Sequence, residues 1–148
     1  MTTELQPDPS RIELGRFYPH PPEIVWRALT EPALLDRWLM ASTGFTAEEG
    51  AHFLLSVASE AAAEIAGEIL VVSPHEAMTW SWMDLRFSQP PRWIVVWELH
   101  AQGRGTRLLL THSGFDISEK RHKMARNALE RGWRQLLSTK LVDVLDEL

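Results

Sequence analysis

The sequence predicts an α+β domain in which an antiparallel sheet of about six strands packs against one long C-terminal helix. One supporting observation is a run of short segments from Gly50 to Ser113, in which apolar residues alternate with others and glycine or proline separates the segments. Another is the helical spacing of apolar residues through Ser118 to Leu148. Strands in succession followed by a helix are typical of an antiparallel sheet with its helices on one face.

The N-terminal part predicts one strand and two short helices. Residues 1–10 contain two prolines and no periodicity, which predicts a flexible tail before a single domain at residues 11–148. Arg11 to Tyr18 alternates as a strand does. Two helical patterns follow, EIVWRAL and ALLDRW, and Thr30 is the predicted N-cap of the second, which ends near Trp38.

Five further strands are predicted in the middle of the chain. They are Phe53 to Val57, Ala63 to Val72, Met78 to Trp82, Trp93 to His100 and Thr106 to Ser113. Gly67 indicates a bulge or a close backbone approach within its strand. Pro90 and Pro91 predict a loop, and Gly103 with Gly105 predicts a hairpin turn.

The last predicted element is one continuous helix from Ser118 to Leu148, capped by Asp116 or Ser118. At about 1.5 Å per residue it would be roughly 40–45 Å long and could cross a whole small sheet. Its apolar stripe consists of Leu129, Trp133, Leu136, Leu137, Leu141, Val144, Leu145 and Leu148.

Composition excludes several classes of function. The chain has no cysteine, which excludes disulfides and thiolate chemistry. A net charge of −5 and a pI near 5.7 argue against a nucleic-acid partner. No apolar run is long enough to span a membrane, and the N-terminal residues do not resemble a signal peptide, so we expect a soluble cytoplasmic protein.

The sequence also lacks the common motifs for metals and cofactors. Its histidines form no i,i+4 pair and have no close carboxylate at metal-ligand spacing. It contains no phosphate-binding loop, nucleophile elbow or dinucleotide fingerprint. We therefore expect neither a metal nor a cofactor.

Seven tryptophans in 148 residues indicate a core or cavity built around aromatic rings. Alternation places Trp80, Trp82 and Trp97 on the sheet face that meets Trp133 of the helix. The group forms either a ring-lined pocket or an ordinary core. His112 faces the same side, where it would be a structural histidine, a ligand's hydrogen-bond partner or a weak candidate for a general base.

Two surface features allow more than one interpretation. The first half of the long helix is basic, with glutamates interleaved, which favours a solvated face over a binding site for an acidic partner. The loop from Met83 to Trp93 could be a pocket lid or the contact of a homodimer.

Several motifs resemble the family named for the activator of a heat-shock-protein ATPase, within the START-like (SRPBCC) superfamily. They are VWRALTEPALLDRW, Gly50-x-x-Phe53, Gly67-Glu68-Ile69, Pro74 with Thr79-Trp80, the segment from Gly105 to Phe115, and Gly132-Trp133-x-x-Leu136-Leu137. The resemblance implies a helix-grip fold, in which a curved antiparallel sheet wraps the C-terminal helix and leaves a cavity between them. The eukaryotic co-chaperone of the family has an additional N-terminal domain, so we do not expect a co-chaperone partner here.

We therefore expect the chain to bind a small hydrophobic molecule, aromatic ligands included, between the sheet and the C-terminal helix. One alternative is an aromatase/cyclase-type enzyme in which His112 moves protons with Tyr18, Asp84 or Asp116. The other is a protein-interaction module like the co-chaperone. The predicted ligand contacts are Trp38, Phe53, Trp80, Trp82, Trp97, Leu110, His112, Phe115, Trp133 and Leu137.

Overall fold

The computed structural model describes residues 8–56 and 64–148. Within these ranges the chain forms seven strands and four helices. In chain order they are β1 (Arg11–Tyr18), α1 (Pro22–Thr30), α2 (Pro32–Trp38), β2 (Ala41–Thr43), β3 (His52–Ser56), β4 (Ile65–Ser73), β5 (Ala77–Asp84), β6 (Trp93–Gln102), β7 (Gly105–Ser113), α3 (Lys120–Ser138) and α4 (Lys140–Asp146).

The strands form one curved antiparallel sheet in the order β1-β7-β6-β5-β4-β3-β2. This confirms the predicted α+β class, with two short helices after the first strand and a helical C-terminus. The sheet has one strand more than the six that were predicted. The additional strand is β2, whose three residues are too few to show alternation. Val57 and Ala63, predicted as strand ends, and most of the predicted tail lie outside the described residues.

The junction between α1 and α2 differs from the prediction. The N-cap of α2 is Glu31 and not Thr30. Thr30 lies in the last turn of α1, where its hydroxyl donates to the Trp26 carbonyl at 2.7 Å. The residue before a proline is disfavoured in helical conformation. Because Pro32 begins α2, Glu31 is the residue that leaves the helix, with φ −85° and ψ 120°.

The predicted long C-terminal helix is confirmed, but it is not continuous from Ser118 to Leu148. It breaks at Thr139, where φ is −125° and ψ is −77°. The hydroxyls of Ser138 and Thr139 donate to the Arg134 and Gln135 carbonyls at 2.7 and 2.6 Å, and such bonds compete with the backbone ladder. The 19 residues of α3 therefore span only about 28 Å.

The N-cap of α3 is Glu119, which accepts from the Arg121 N–H at 2.8 Å. The predicted caps, Asp116 and Ser118, lie before this point. The Asp116 carboxylate accepts from the backbone N–H of Ser118 at 3.1 Å, and this local turn replaces a cap.

The faces predicted from alternation are confirmed in β5, β6 and β7, where every second residue is buried against the helices. The buried residues on these faces are Met78, Trp80, Trp82, Trp93, Val95, Trp97, Leu99, Thr106, Leu108, Leu110 and His112. Ser81 is also buried although it points to the opposite face. Its hydroxyl accepts from the Glu68 N–H at 2.9 Å, close to the register shift between Ile69 and Val71.

None of the helices in the described ranges combines the length and hydropathy that a bilayer crossing requires. Even α3, at 19 residues, carries many charged side chains.

Gly67 marks a close approach, as its position in the strand predicted. A Cβ there would overlap the Phe53 ring and lie 2.6 Å from the Ser81 carbonyl oxygen. We expect Gly67→Ala to lower the free energy of unfolding by about 1–3 kcal/mol, because a packed interior resists added volume. Urea denaturation monitored by tryptophan fluorescence would measure this.

Gly132→Ala is the matched control for Gly67→Ala. Outside the neighbouring backbone of its own helix, no heavy atom lies within 4 Å of the added Cβ at Gly132, and alanine is favoured over glycine inside a helix by about 0.5–1 kcal/mol. The two substitutions should therefore have opposite signs, and equal effects would contradict the packing assigned to Gly67.

Candidate functional site

The centre of the core is a cluster of aromatic rings around Trp97. The Trp97 ring centroid lies 6.1 Å from that of Trp38, 5.5 Å from Trp80 and 5.5 Å from Trp133, with interplanar angles of 85°, 64° and 86°. These edge-to-face arrangements are the ones that aromatic quadrupoles favour. The rings come from α2, β5, β6 and α3, so the cluster joins one face of the sheet to both helices.

The cluster continues to His112 in β7. The imidazole centroid lies 5.2 Å from the Trp82 ring and 5.0 Å from the Phe115 ring. The ring centroid of Trp93 lies 4.4 Å from that of Phe115 and 6.1 Å from that of His112. Trp82 also lies 5.6 Å from Trp133, which closes a ring of contacts between sheet and helix.

His112 is fully buried and accepts one hydrogen bond. The Trp133 indole N–H donates to its Nδ1 at 3.1 Å. Burial lowers the pKa of His112 to about 3, so the imidazole is neutral near pH 7. Because Nδ1 is the acceptor, the ring proton lies on Nε2. His112 can thus donate a hydrogen bond, but it is a poor base at neutral pH.

The structure brings the ten predicted ligand contacts into one buried group. Each is at most 3% exposed: Trp38, Phe53, Trp80, Trp82, Trp97, Leu110, His112, Phe115, Trp133 and Leu137. Most of them pack against other core side chains, as Phe53 does against Trp80 at 5.3 Å. Trp82 and Trp133 also line a surface depression. Contact of these residues with a ligand stays a prediction.

This depression, called the α3 depression below, lies between α3 and the segment after α2. Its volume is about 160 Å³, and its lining is almost entirely apolar. The lining residues are Leu39, Met40, Trp82, Ala128, Leu129, Gly132, Trp133 and Leu136. Our predicted contacts omitted six of them. Gly132 was the available signal, because a glycine in the middle of a helix costs stability and so calls for a reason.

The groups predicted to assist His112 in proton transfer are engaged elsewhere. The Tyr18 hydroxyl donates to the Leu137 carbonyl at 2.6 Å, and burial raises the pKa of Tyr18. Burial opposes ionisation of Asp84, but hydrogen bonds from Arg86 at 2.8 and 2.9 Å outweigh it and lower the pKa of Asp84. Asp116 is exposed and bonded to Ser118. None of these three groups is hydrogen-bonded to His112.

The other predicted surface features are also visible. On the basic half of α3, Glu130 pairs with Arg126 at 2.7 Å and with Arg134 at 3.2 Å, as the i,i+4 spacing predicted. In the loop from Met83 to Trp93, the ring centroid of Phe87 lies 5.5 Å from that of His122 in α3, and the Arg121 guanidinium lies 4.9 Å from the Phe87 ring centroid.

Among residues 8–56 and 64–148, no group of three or more potential ligands could hold a metal ion.

Solved structures share this fold. A protein from Mesorhizobium loti, MLL2253, is 31% identical with a TM-score of 0.81, covering 93% of this chain and 97% of its own. CalU16 from Micromonospora echinospora is 24% identical with a TM-score of 0.70, covering 93% and 82%. An HSP90 activator from Plasmodium falciparum, PFC0360w, is 22% identical with a TM-score of 0.70, covering 85% and 89%.

No curated protein sequence matches the chain significantly. The sequence model of one family does, over residues 19–146. This match runs from the start of α1 to the end of α4 and includes every strand after β1. The protein therefore belongs to the family described as Activator of Hsp90 ATPase homolog 1-like protein.

Proposed function

We propose that the protein binds a small hydrophobic ligand, aromatic molecules included, between the sheet and α3. The observation that carries this proposal is the α3 depression, an apolar opening with the buried rings of Trp82 and Trp133 at its base. A concave apolar site with few polar groups is the usual form of a small-molecule site. The neutral His112 beside Trp133 adds a directional hydrogen-bonding group.

The size of the α3 depression limits which ligands fit without rearrangement. An apolar cavity of about 150 Å³ is enough to hold benzene, and sites for drug-sized molecules are about 300–1,000 Å³. The depression, at about 160 Å³, thus matches one or two small rings. A larger ligand would have to displace Met40, Leu129 or Leu136, which are only partly buried. Methionine adapts readily to such changes.

Gly132→Leu should block this site. Since no atom outside the neighbouring backbone of its own helix lies within 4 Å of the Gly132 Cβ position, a leucine can extend over the depression without disturbing the helix. We expect addition of indane, an apolar bicyclic probe, to shift the indole N–H signals of Trp82 and Trp133 saturably in ¹H–¹⁵N NMR spectra of the wild type. In Gly132→Leu the apparent affinity should fall at least tenfold.

Arg131→Leu is the matched control, because it adds the same side chain at an exposed neighbouring position that does not line the depression. Its affinity for indane should equal that of the wild type. If indane produces no saturable shift in the wild type, or binds Gly132→Leu equally well, the proposed site is wrong.

A further inference from the structure

The unpartnered polar atoms of the core are all hydrogen-bond donors. In the described residues, the buried side-chain N and O atoms without a hydrogen-bond partner include the indole nitrogens of Trp80, Trp82, Trp93 and Trp97. The fifth such atom in the aromatic cluster is Nε2 of His112. It carries the ring proton, because Nδ1 accepts from Trp133. The cluster thus holds five N–H groups that lack an acceptor.

Such groups are unusual because a buried donor without an acceptor normally costs stability. N–H contacts to aromatic faces offset part of the cost, and the edge-to-face geometry of Trp80 and Trp97 permits them, but these interactions are weak. Five donors in one connected cluster are therefore a feature that packing alone does not account for.

The buried acceptors nearby are already bonded. The Ser81 hydroxyl accepts from Glu68, and the Asp84 carboxylate accepts from Arg86. The Leu137 carbonyl accepts from Tyr18, and the His20 carbonyl accepts from the Thr106 hydroxyl. A ligand that carries an acceptor atom would supply the partner that the described side chains do not give these donors.

That acceptor should be neutral. The buried polar and charged side chains of the described residues are Ser81, Asp84, Thr106 and His112, a set without lysine or arginine. A carboxylate entering the cluster would meet no buried cation, and an unpaired buried charge is far more costly than a neutral carbonyl.

We infer that the ligand is an apolar ring compound whose polar atoms are neutral hydrogen-bond acceptors, such as an aromatic ketone or ester, and that molecules whose polar atoms only donate are disfavoured. This deepens the proposed function and rests on it. A molecule in the α3 depression contacts Trp82 and Trp133 first. Since the Trp133 N–H is bonded to His112, the donors without a partner that adjoin this contact are those of Trp82, which lines the depression, and of His112, whose ring centroid lies 5.2 Å from that of Trp82.

Three bicyclic probes of similar size separate the two proposals. Indane has no polar atom, 1-indanone adds one carbonyl acceptor, and indole has one N–H donor. We expect 1-indanone to bind about tenfold more tightly than indane, the effect of one good hydrogen bond, and indole to bind no more tightly than indane. With 1-indanone, at least one of the previously unpartnered indole or imidazole N–H signals should move downfield in ¹H–¹⁵N NMR spectra.

Each outcome bears on one proposal. If no probe binds, the proposed function fails and the present inference fails with it. If indane binds and 1-indanone binds no more tightly, or if indole binds best, the site stands but the preference for acceptors is wrong.

Trp82→Phe tests the donor directly, because phenylalanine keeps an aromatic ring and removes the indole N–H. The affinity ratio of 1-indanone to indane should fall by about threefold or more, whatever the change in either affinity. Trp26→Phe is the control, since Trp26 lies in α1 and its ring contacts His75 outside the aromatic cluster. An unchanged ratio in Trp82→Phe, together with no downfield shift of the His112 Nε2–H signal when 1-indanone is added to the wild type, would overturn the inference.

Discussion

Replacing Trp97 by alanine is expected to lower the free energy of unfolding by about 3–5 kcal/mol, the range for removal of a large aromatic side chain from a core. Trp97 is fully buried, and its ring lies edge to face with those of Trp38, Trp80 and Trp133. Its removal separates the sheet from both α2 and α3 at one point. Since domains are stable by about 5–15 kcal/mol in total, the variant should retain only part of its stability.

Urea denaturation followed by far-UV circular dichroism would measure the loss without depending on tryptophan fluorescence. Trp26→Ala is the matched control, because Trp26 is 8% exposed and lies on α1, away from the aromatic cluster. Its loss should be clearly smaller. Equal losses for the two variants would contradict the central role assigned to Trp97.

The buried faces of the sheet could be predicted because alternation along a strand reports which side is apolar. In β5, Met78, Trp80 and Trp82 are two residues apart, and all three are buried as predicted. The same reasoning placed His112 inside. Alternation depends only on local backbone geometry, so it does not require knowledge of the partner strand.

Alternation says nothing about how closely the two layers approach, so the shape of the candidate site could not be predicted. Whether Trp97 would line a pocket or contact Trp133 depends on the position of α3, which long-range contacts set. The break at Thr139 is of the same kind. The apolar spacing continues through Thr139, so only the hydrogen bond from the Thr139 hydroxyl to the preceding turn indicates the break.

The buried neutral imidazole of His112 should make the protein markedly less stable in acid. Burial lowers its pKa from an ordinary 6.5 to about 3 in the folded state. Between these pKa values the unfolded chain binds a proton that the folded chain excludes. The contribution of His112 to the free energy of unfolding is therefore fully present above pH 6.5 and is lost progressively as the pH decreases. At about 1.4 kcal/mol per pH unit, this group alone should remove roughly 3 kcal/mol between pH 6.5 and pH 4.

His112→Gln separates this effect from the titration of carboxylates over the same range. The glutamine amide is neutral at every pH, and its oxygen can accept from the Trp133 N–H as Nδ1 does. The variant should be less stable than the wild type at pH 7, and this difference should shrink or reverse at pH 4. His52→Gln makes the same substitution at an exposed position in β3 and controls for the loss of a histidine as such. Urea denaturation at each pH would measure all three proteins. Parallel profiles for the wild type and His112→Gln would mean that burial does not lower the pKa of His112 and does not hold the imidazole neutral in acid.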